Sequence, residues 1–107
     1  MTKIGEFELL VVLSILRHPE APYANRIRDD LAENARRSVT RGALYRTLDR
    51  LEAKGFIEWE LEPDTTPARG GHPMRRLSVT GEGVEAARST RDVLLTFFDG
   101  LADPSMP

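Results

Sequence analysis

The amino-acid sequence predicts a small α+β domain that is mainly helical and contains one β-hairpin. Apolar residues recur at helical spacing in four separate stretches of the chain. Between the third and fourth stretches the period changes to two, which is typical of strands. The chain has 107 residues, which is enough for one compact domain and not for two.

The first helix is predicted from about Gly5 to Arg17, and it is apolar nearly all round. A helix of this kind is buried on more than one side, and both a central place in the core and contact with a second subunit explain it. Since the residue before a proline is disfavoured in a helix, His18-Pro19 ends it. We interpret His18 as a capping or surface residue and not as a metal ligand.

The second helix is predicted to begin at Pro22, because a missing N–H is tolerated in the first turn. Its pattern fades near Asn34. Arg26 and Asp30 are four residues apart, so they are assigned to the outer side of this helix as a possible ion pair.

The third helix is predicted to begin after Thr40, whose hydroxyl can accept a hydrogen bond from an early backbone N–H. Gly55 is the predicted stop. Three leucines form the buried stripe, which leaves an outward face of Arg41, Gly42, Tyr45, Arg46, Asp49 and Arg50. Five arginines and one acid lie between Arg36 and Arg50, although the formal net charge of the chain is −2.

The hairpin is predicted from two segments in which apolar and polar residues alternate. Its first strand is expected to turn three residues towards the core, with glutamates between them: Ile57, Trp59 and Leu61. Residues 63–73 contain three prolines and Gly70-Gly71, so they are predicted to form a loop. In the returning strand Arg76 is expected to face one of the glutamates, because opposite charges across a strand pair are favourable.

The last helix is predicted to start at the cap Thr80 and to run to about Asp99. Its second half concentrates five large apolar residues: Val93, Leu94, Leu95, Phe97 and Phe98. This is too much apolar surface for the terminal helix of a monomer. The sequence therefore predicts a twofold contact between subunits made by Leu10 of the first helix together with Val93, Leu94, Phe97 and Phe98.

This order of elements is that of a winged helix-turn-helix, in which a recognition helix enters the major groove and a hairpin wing reaches the flanking backbone. Residues 1–80 would form this domain, and residues 81–107 a dimerisation helix with a short tail. Arginine can bond guanine or phosphate bidentately, and basic residues lie on both DNA-contacting elements. The predicted DNA contacts are Thr40, Arg41, Gly42, Tyr45, Arg46 and Arg50 in the helix, and Arg69, Gly70, Gly71 and Arg75 in the wing.

Four stretches also carry a resemblance to a known family. Thr40-Arg-Gly-Ala-Leu-Tyr-Arg-Thr-Leu-Asp-Arg-Leu-Glu-Ala-Lys-Gly-Phe-Ile57 resembles the recognition helix of the PadR family of bacterial transcriptional regulators. Arg69-Gly-Gly-His-Pro and Leu77-Ser-Val-Thr-Gly-Glu-Gly83 resemble its wing and the entry into its last helix, and Gly5-Glu-Phe-Glu-Leu-Leu10 resembles its opening. The second helix departs from the family, since it reads Ala24-Asn-Arg-Ile27 where Gly-Tyr-Glu-Ile is usual.

The resemblance implies a homodimeric repressor with double-stranded DNA, in a palindromic operator, as its partner. Many members lose affinity for DNA when a small aromatic or lipophilic effector binds. Phe97, Phe98 and Trp59 are candidates for such a pocket, and the alternative is that they are core or interface residues.

Several other functions are excluded or disfavoured. The chain has no cysteine, and its two histidines, His18 and His72, supply no spaced ligand pair, so neither a metal nor another cofactor is expected. No converging acid/base group points to an enzyme. The apolar run Leu9–Leu16 is too short for a bilayer and lacks the flanks of a signal peptide, so a cytoplasmic protein is expected. The alternative function is a winged-helix interaction module without DNA binding, which the arginines of the third helix oppose.

Overall fold

Four helices and one antiparallel hairpin make up the computed structural model, which describes residues 3–62 and 74–101. The helices are α1 (Glu6–Arg17), α2 (Ala24–Asn34), α3 (Arg41–Ala53) and α4 (Gly81–Phe98). The strands β1 (Ile57–Glu62) and β2 (Met74–Val79) form a two-stranded sheet between α3 and α4. This architecture confirms the predicted fold class.

The ends of α3 and α4 lie where their capping residues predict them. Thr40 Oγ1 accepts a hydrogen bond from the backbone N–H of Ala43 at 3.1 Å. Thr80 Oγ1 accepts one from Gly83 at 3.0 Å. Gly55 ends α3 with a φ of +79°, in the left-handed region that favours glycine.

The predicted start of α2 is wrong by two residues. The helix begins at Ala24, with Tyr23 as its extended N-cap. The carbonyl of Pro22 accepts a hydrogen bond from the backbone N–H of Leu77 at 3.0 Å, so this residue is held against β2 before the helix starts.

The core lies between α1, α2 and α3 and is closed by the hairpin. Its fully buried side chains include Val11 and Val12 of α1, Ile27 of α2, and Leu44 and Leu51 of α3. The start of α4 approaches the backbone so closely that a Cβ on Gly83 would lie 2.2 Å from the carbonyl oxygen of Phe56. This close approach holds the start of α4 against the backbone between α3 and β1.

The hairpin register pairs Ile57 with Val79, Trp59 with Leu77, and Glu60 with Arg76. The prediction for Leu61 is wrong: this side chain is 61% exposed, because the core ends before this part of the hairpin.

Arg76 has the structural role that was predicted for it. Its guanidinium lies 3.7 Å from the Glu62 carboxylate. It also donates hydrogen bonds to the carbonyl of Pro19 at 2.9 Å and to the hydroxyl of Tyr23 at 3.3 Å.

Asp30 is buried and does not lie on the outer side of α2, so that prediction is also wrong. Its carboxylate accepts hydrogen bonds from Ser14 Oγ at 2.6 Å and from Asn34 Nδ2 at 2.7 Å, and it pairs with Arg17 of α1. Burial alone would raise the pKa of Asp30, but these hydrogen bonds and the charge of Arg17 outweigh it, and the pKa is lowered. The carboxylate therefore ties α2 to α1 in its ionised form.

Glu8 makes a second buried link, between the start of α1 and the end of α3. Its Oε1 accepts hydrogen bonds from the backbone N–H of Gly5 and from Lys54 Nζ, each at 2.7 Å. Its Oε2 lies 3.6 Å from Arg50 Nε. Burial raises the pKa of Glu8. The hydrogen bonds from Lys54 and Gly5 and the positive charges of Lys54 and Arg50 lower it by more, so the pKa lies below its usual value.

Candidate nucleic-acid interface

The first two turns of α3 present most of the helix residues that are predicted to contact DNA. Arg41, Gly42 and Arg46 are exposed, and Tyr45 is half-buried against the core. Residues 41 and 45, and 42 and 46, are four apart, so they form two adjacent columns on one face of the helix. Thr40 precedes this face and uses its hydroxyl oxygen as the helix cap. The structure thus gathers these five residues at one end of α3.

Gly42 leaves an opening in the surface of this face. A Cβ built on it would meet only Arg46 Nη1, at 3.6 Å, which is ordinary van der Waals contact. Its φ is not in the left-handed region. Neither packing nor backbone conformation therefore requires glycine here, whereas the close approach of an external group to the helix backbone would.

The positive charge of this face is not neutralised within the described chain. Across residues 3–62 and 74–101, carboxylates pair with Arg17, Arg37, Arg50, Lys54, Arg76, Arg88 and Arg91. Within the same ranges Arg41, Arg46 and Arg75 have no carboxylate within ion-pair distance. Although the chain has 15 basic and 17 acidic residues, positive charge is therefore concentrated locally around Arg41, Arg46 and Arg75.

Arg50 occupies a different environment from Arg41 and Arg46. It donates a hydrogen bond to Thr47 Oγ1 at 3.1 Å and faces the buried carboxylate of Glu8. With Arg37 and Arg46 it lines a polar groove of about 320 Å³ beside α3. Its guanidinium is therefore partly engaged by other residues of the protein, although the side chain is 56% exposed.

Arg75 and Trp59 connect the hairpin to α3. The guanidinium carbon of Arg75 lies 4.4 Å from the centre of the Trp59 ring and 5.5 Å from that of Tyr45. Arg41 lies over the same Tyr45 ring, also at 5.5 Å. Trp59 was not predicted to lie at this interface. In the sequence, the signal for this contact was Arg75, because it is a cation on the hairpin face that otherwise presents apolar residues.

Three predicted wing contacts, Arg69, Gly70 and Gly71, lie outside the described residues. Of the predicted wing residues, Arg75 alone is described. The contacts predicted for the tip of the wing therefore stay predictions.

A second surface is formed by α1 and α4. From Arg91 to Leu101 every residue of the chain is exposed, and Phe97 is 78% exposed. Between the two helices lies an apolar groove of about 570 Å³, whose lining includes Leu13 and Leu16 of α1 and Leu94, Leu95 and Phe98 of α4.

The predicted interface residues are distributed unevenly over this surface. Leu94 and Phe98 line the groove. Val93 lines a second groove, on another side of α4, and Phe97 projects into solvent. Leu10 is half-buried against the core, so the large exposed side chains of α1 are Leu13 and Leu16.

Neither a membrane span nor a metal cluster occurs in the described ranges. No helix there is long and apolar enough to cross a membrane. The described residues also include no group of three histidine, aspartate or glutamate side chains that could hold a metal ion.

A family model described as the transcriptional regulator PadR-like family matches residues 12–86. Among solved structures, a PadR-like transcription factor from Bacteroides fragilis is 29% identical, with a TM-score of 0.69, over 92% of this chain and 91% of that one. No curated protein matches the chain.

Two further structures show the same fold at lower identity. A PadR family transcriptional regulator from Eggerthella lenta is 23% identical with a TM-score of 0.69, over 90% of this chain and 82% of that one. A PadR family transcription regulator from Clostridium difficile is 18% identical with a TM-score of 0.71, over 89% of this chain and 96% of that one.

Proposed function

Because the chain belongs to the PadR-like family of transcriptional regulators, we propose that it is a homodimeric repressor that binds a palindromic operator in double-stranded DNA. Members of this family regulate transcription and are not enzymes. Residues 1–80 form the proposed DNA-binding unit, and residues 81–107 the proposed dimerisation helix and tail. Since the proposed ligand is chromosomal DNA, the proposed site of action is the bacterial cytoplasm.

The observation that supports DNA binding most directly is the unneutralised charge on α3 and β2. Arg41, Arg46 and Arg75 lie on the two elements that contact DNA in winged helices, and no described carboxylate pairs with them. The proposed DNA-binding residues are those predicted from the sequence, namely Thr40, Arg41, Gly42, Tyr45, Arg46, Arg50, Arg69, Gly70, Gly71 and Arg75. Among them Arg46 is proposed to contact base edges, because it is exposed and lies one turn beyond the start of α3.

The alternative is an interaction module that no longer binds DNA. Such a module has no need of three exposed arginines that no described carboxylate neutralises, so the charge distribution favours the regulator.

A binding experiment on the DNA upstream of the gene tests the proposal. The parent protein should shift this DNA in the presence of excess competitor DNA at a fixed salt concentration. Arg46→Ala should weaken this binding by about 1–3 kcal/mol and relax discrimination between sites, while folding survives. Arg76→Gln is the matched control. It also removes one positive charge, but the arginine that it replaces is already paired with Glu62. Equal affinity of Arg46→Ala and the parent would refute the role of Arg46, and no binding by the parent would refute the function.

The proposed dimer rests on the exposed apolar surface of α1 and α4. Leu13, Leu16, Leu94, Leu95 and Phe98 border one groove, and solvent contact with so large a patch favours association. An isologous twofold contact would place α4 of each subunit against this groove of the other. Burying each large side chain would contribute about 1.5–3 kcal/mol, against which the loss of translational and rotational freedom must be set.

Sedimentation of the parent protein tests the dimer. At micromolar concentration the expected mass is twice the 12.0 kDa of the chain. A monomer at that concentration would refute both the dimer and the palindromic operator, because two recognition helices are needed to read two half-sites.

We also propose that a small aromatic or lipophilic effector releases the protein from DNA by competing with α4 of the second subunit for the groove between α1 and α4. Its apolar lining and its volume of about 570 Å³ favour such a ligand. Phe98 lines this groove, whereas Trp59 and Phe97 are not among its lining residues. The dye 1-anilinonaphthalene-8-sulfonate should bind the parent with enhanced fluorescence and lower its affinity for DNA. Dye binding without any change in DNA affinity would refute this form of regulation.

A further inference from the structure

Arg75 of β2 is held by two aromatic rings that belong to different elements. Its guanidinium carbon lies 4.4 Å from the ring centre of Trp59 in β1 and 5.5 Å from that of Tyr45 in α3. Both distances are within the range in which a cation is attracted to the face of an aromatic ring. The contact therefore links the hairpin to the helix proposed to enter the major groove.

A guanidinium that stacks on an aromatic ring uses its face for that contact and leaves its edge available. The five N–H donors of arginine lie in the plane of the group, so stacking on a ring does not consume them. No described residue accepts a hydrogen bond from Arg75. Arg76, the next residue, differs because its donors bond Pro19 and Tyr23 and its charge is paired with Glu62.

A planar edge of donors that no described residue accepts from, on a charge that no described carboxylate pairs with, matches the oxygens of a phosphate group. Arg75 lies at the junction between α3 and the hairpin, beside the face that carries Arg41 and Tyr45. We propose that Trp59 and Tyr45 are positioning residues that hold Arg75 as the ligand of one backbone phosphate of duplex DNA. This inference rests on the proposed DNA binding and adds to it a specific site and the role of Trp59.

The proposal has two measurable consequences. A phosphate contact carries no sequence information, so its loss weakens the binding of all duplexes alike. It also releases counterions, so its loss lowers the dependence of the binding constant on salt. Trp59 has no charge and would influence the salt dependence only through Arg75.

The first experiment measures the affinity for a fluorescently labelled random-sequence duplex by anisotropy between 50 and 200 mM salt. Arg75→Ala should bind about 3- to 10-fold more weakly and lose about one unit of the slope of log K against log salt. Trp59→Leu should do the same to a smaller extent, and Trp59→Phe, which keeps a ring under the guanidinium, should restore most of the slope. Arg76→Gln is the control for the removal of a neutralised arginine from the same strand.

The second experiment combines the two substitutions, because a positioning role predicts that their effects are not additive. In the Arg75→Ala protein, Trp59→Leu should have no further effect on affinity or slope. A merely structural role of Trp59 would lower affinity in both backgrounds and leave the slope unchanged.

A spectroscopic measurement does not require the Trp59→Leu protein to fold. Trp59 is the only tryptophan of the chain, so its emission reports on this one contact. Adding the duplex should change the emission of the parent, and Arg75→Ala should abolish most of that change. An unaltered response in Arg75→Ala would overturn the proposed site.

The outcomes separate this inference from the function on which it rests. If the parent binds DNA and Arg75→Ala keeps its slope, the phosphate site is wrong while DNA binding stands. If the parent binds neither the random duplex nor its upstream DNA, both proposals fail.

Discussion

Gly42→Ala is expected to stabilise the protein while weakening its binding to DNA. Gly42 is the second residue of α3, and glycine within a helix is less favourable than alanine by about 0.5–1 kcal/mol. The new methyl group would lie 3.6 Å from Arg46 Nη1, which is an ordinary contact, so no steric penalty offsets the gain. The free energy of unfolding should therefore rise by about 0.5–1 kcal/mol.

The same methyl group would occupy the opening through which a phosphate or a base edge approaches the helix backbone. Loss of one charge-assisted backbone hydrogen bond weakens binding by about 1.5–3 kcal/mol, which corresponds to roughly 10- to 150-fold in the dissociation constant. Urea unfolding at fixed protein concentration measures the first effect, and anisotropy with labelled upstream DNA measures the second.

Gly81→Ala provides the matched control. Gly81 is the first residue of α4, and nothing lies within 4 Å of the position that its Cβ would take. Alanine at this position should therefore stabilise the helix without affecting the proposed DNA contacts. If Gly42→Ala binds DNA as tightly as Gly81→Ala and the parent do, the interpretation of Gly42 as a site of close approach is wrong. A loss of stability in Gly42→Ala would instead show that the fold itself requires this glycine.

Three further changes test other parts of the structure. Gly83→Ala should lower the free energy of unfolding by about 1–3 kcal/mol in urea, because its Cβ would collide with the carbonyl of Phe56, and parental stability would contradict that packing. Since the pKa of Asp30 is lowered on folding, its ionised form stabilises the protein above the unfolded pKa of about 3.9, and this contribution disappears as the pH falls through the folded pKa. Asp30→Asn should therefore be less stable at pH 7 by about 1–3 kcal/mol and lose less stability between pH 7 and pH 3, and an unchanged pH profile would exclude this role. Leu94→Asp combined with Phe98→Asp should give monomers, or chains that do not fold alone, in sedimentation, and a persistent folded dimer would place the subunit contact elsewhere.

The elements themselves were largely predictable because their signals are local. Thr40 and Thr80 cap their helices through bonds to residues three positions ahead, and Gly55 ends α3 through its own backbone conformation. The start of α2 was not predictable in this way. Pro22 suits a first helical turn, yet its carbonyl is bonded to Leu77, which is distant in sequence.

Among the charged residues of the candidate site, some properties follow from the sequence and others only from the packing of the elements. The excess of arginines in α3 is a property of the sequence, but which of them are free depends on partners from other elements. Glu8 approaches Arg50 only because α1 packs across the end of α3. Arg41 and Arg46 have the same chemistry and no such neighbour in the described ranges.

By itself the sequence determined the fold class, the family and the face of α3 that carries the charge, since periodicity, caps and residue types are written along the chain. The tertiary structure decided which carboxylates are buried and which arginine lies over the rings of Tyr45 and Trp59. Ser14 and Asp30 are 16 positions apart, as are Trp59 and Arg75, and Tyr45 and Arg75 are 30 apart. The existence of these contacts depends on how helices and strands pack, and a helical or strand period describes only which side of its own element a residue occupies.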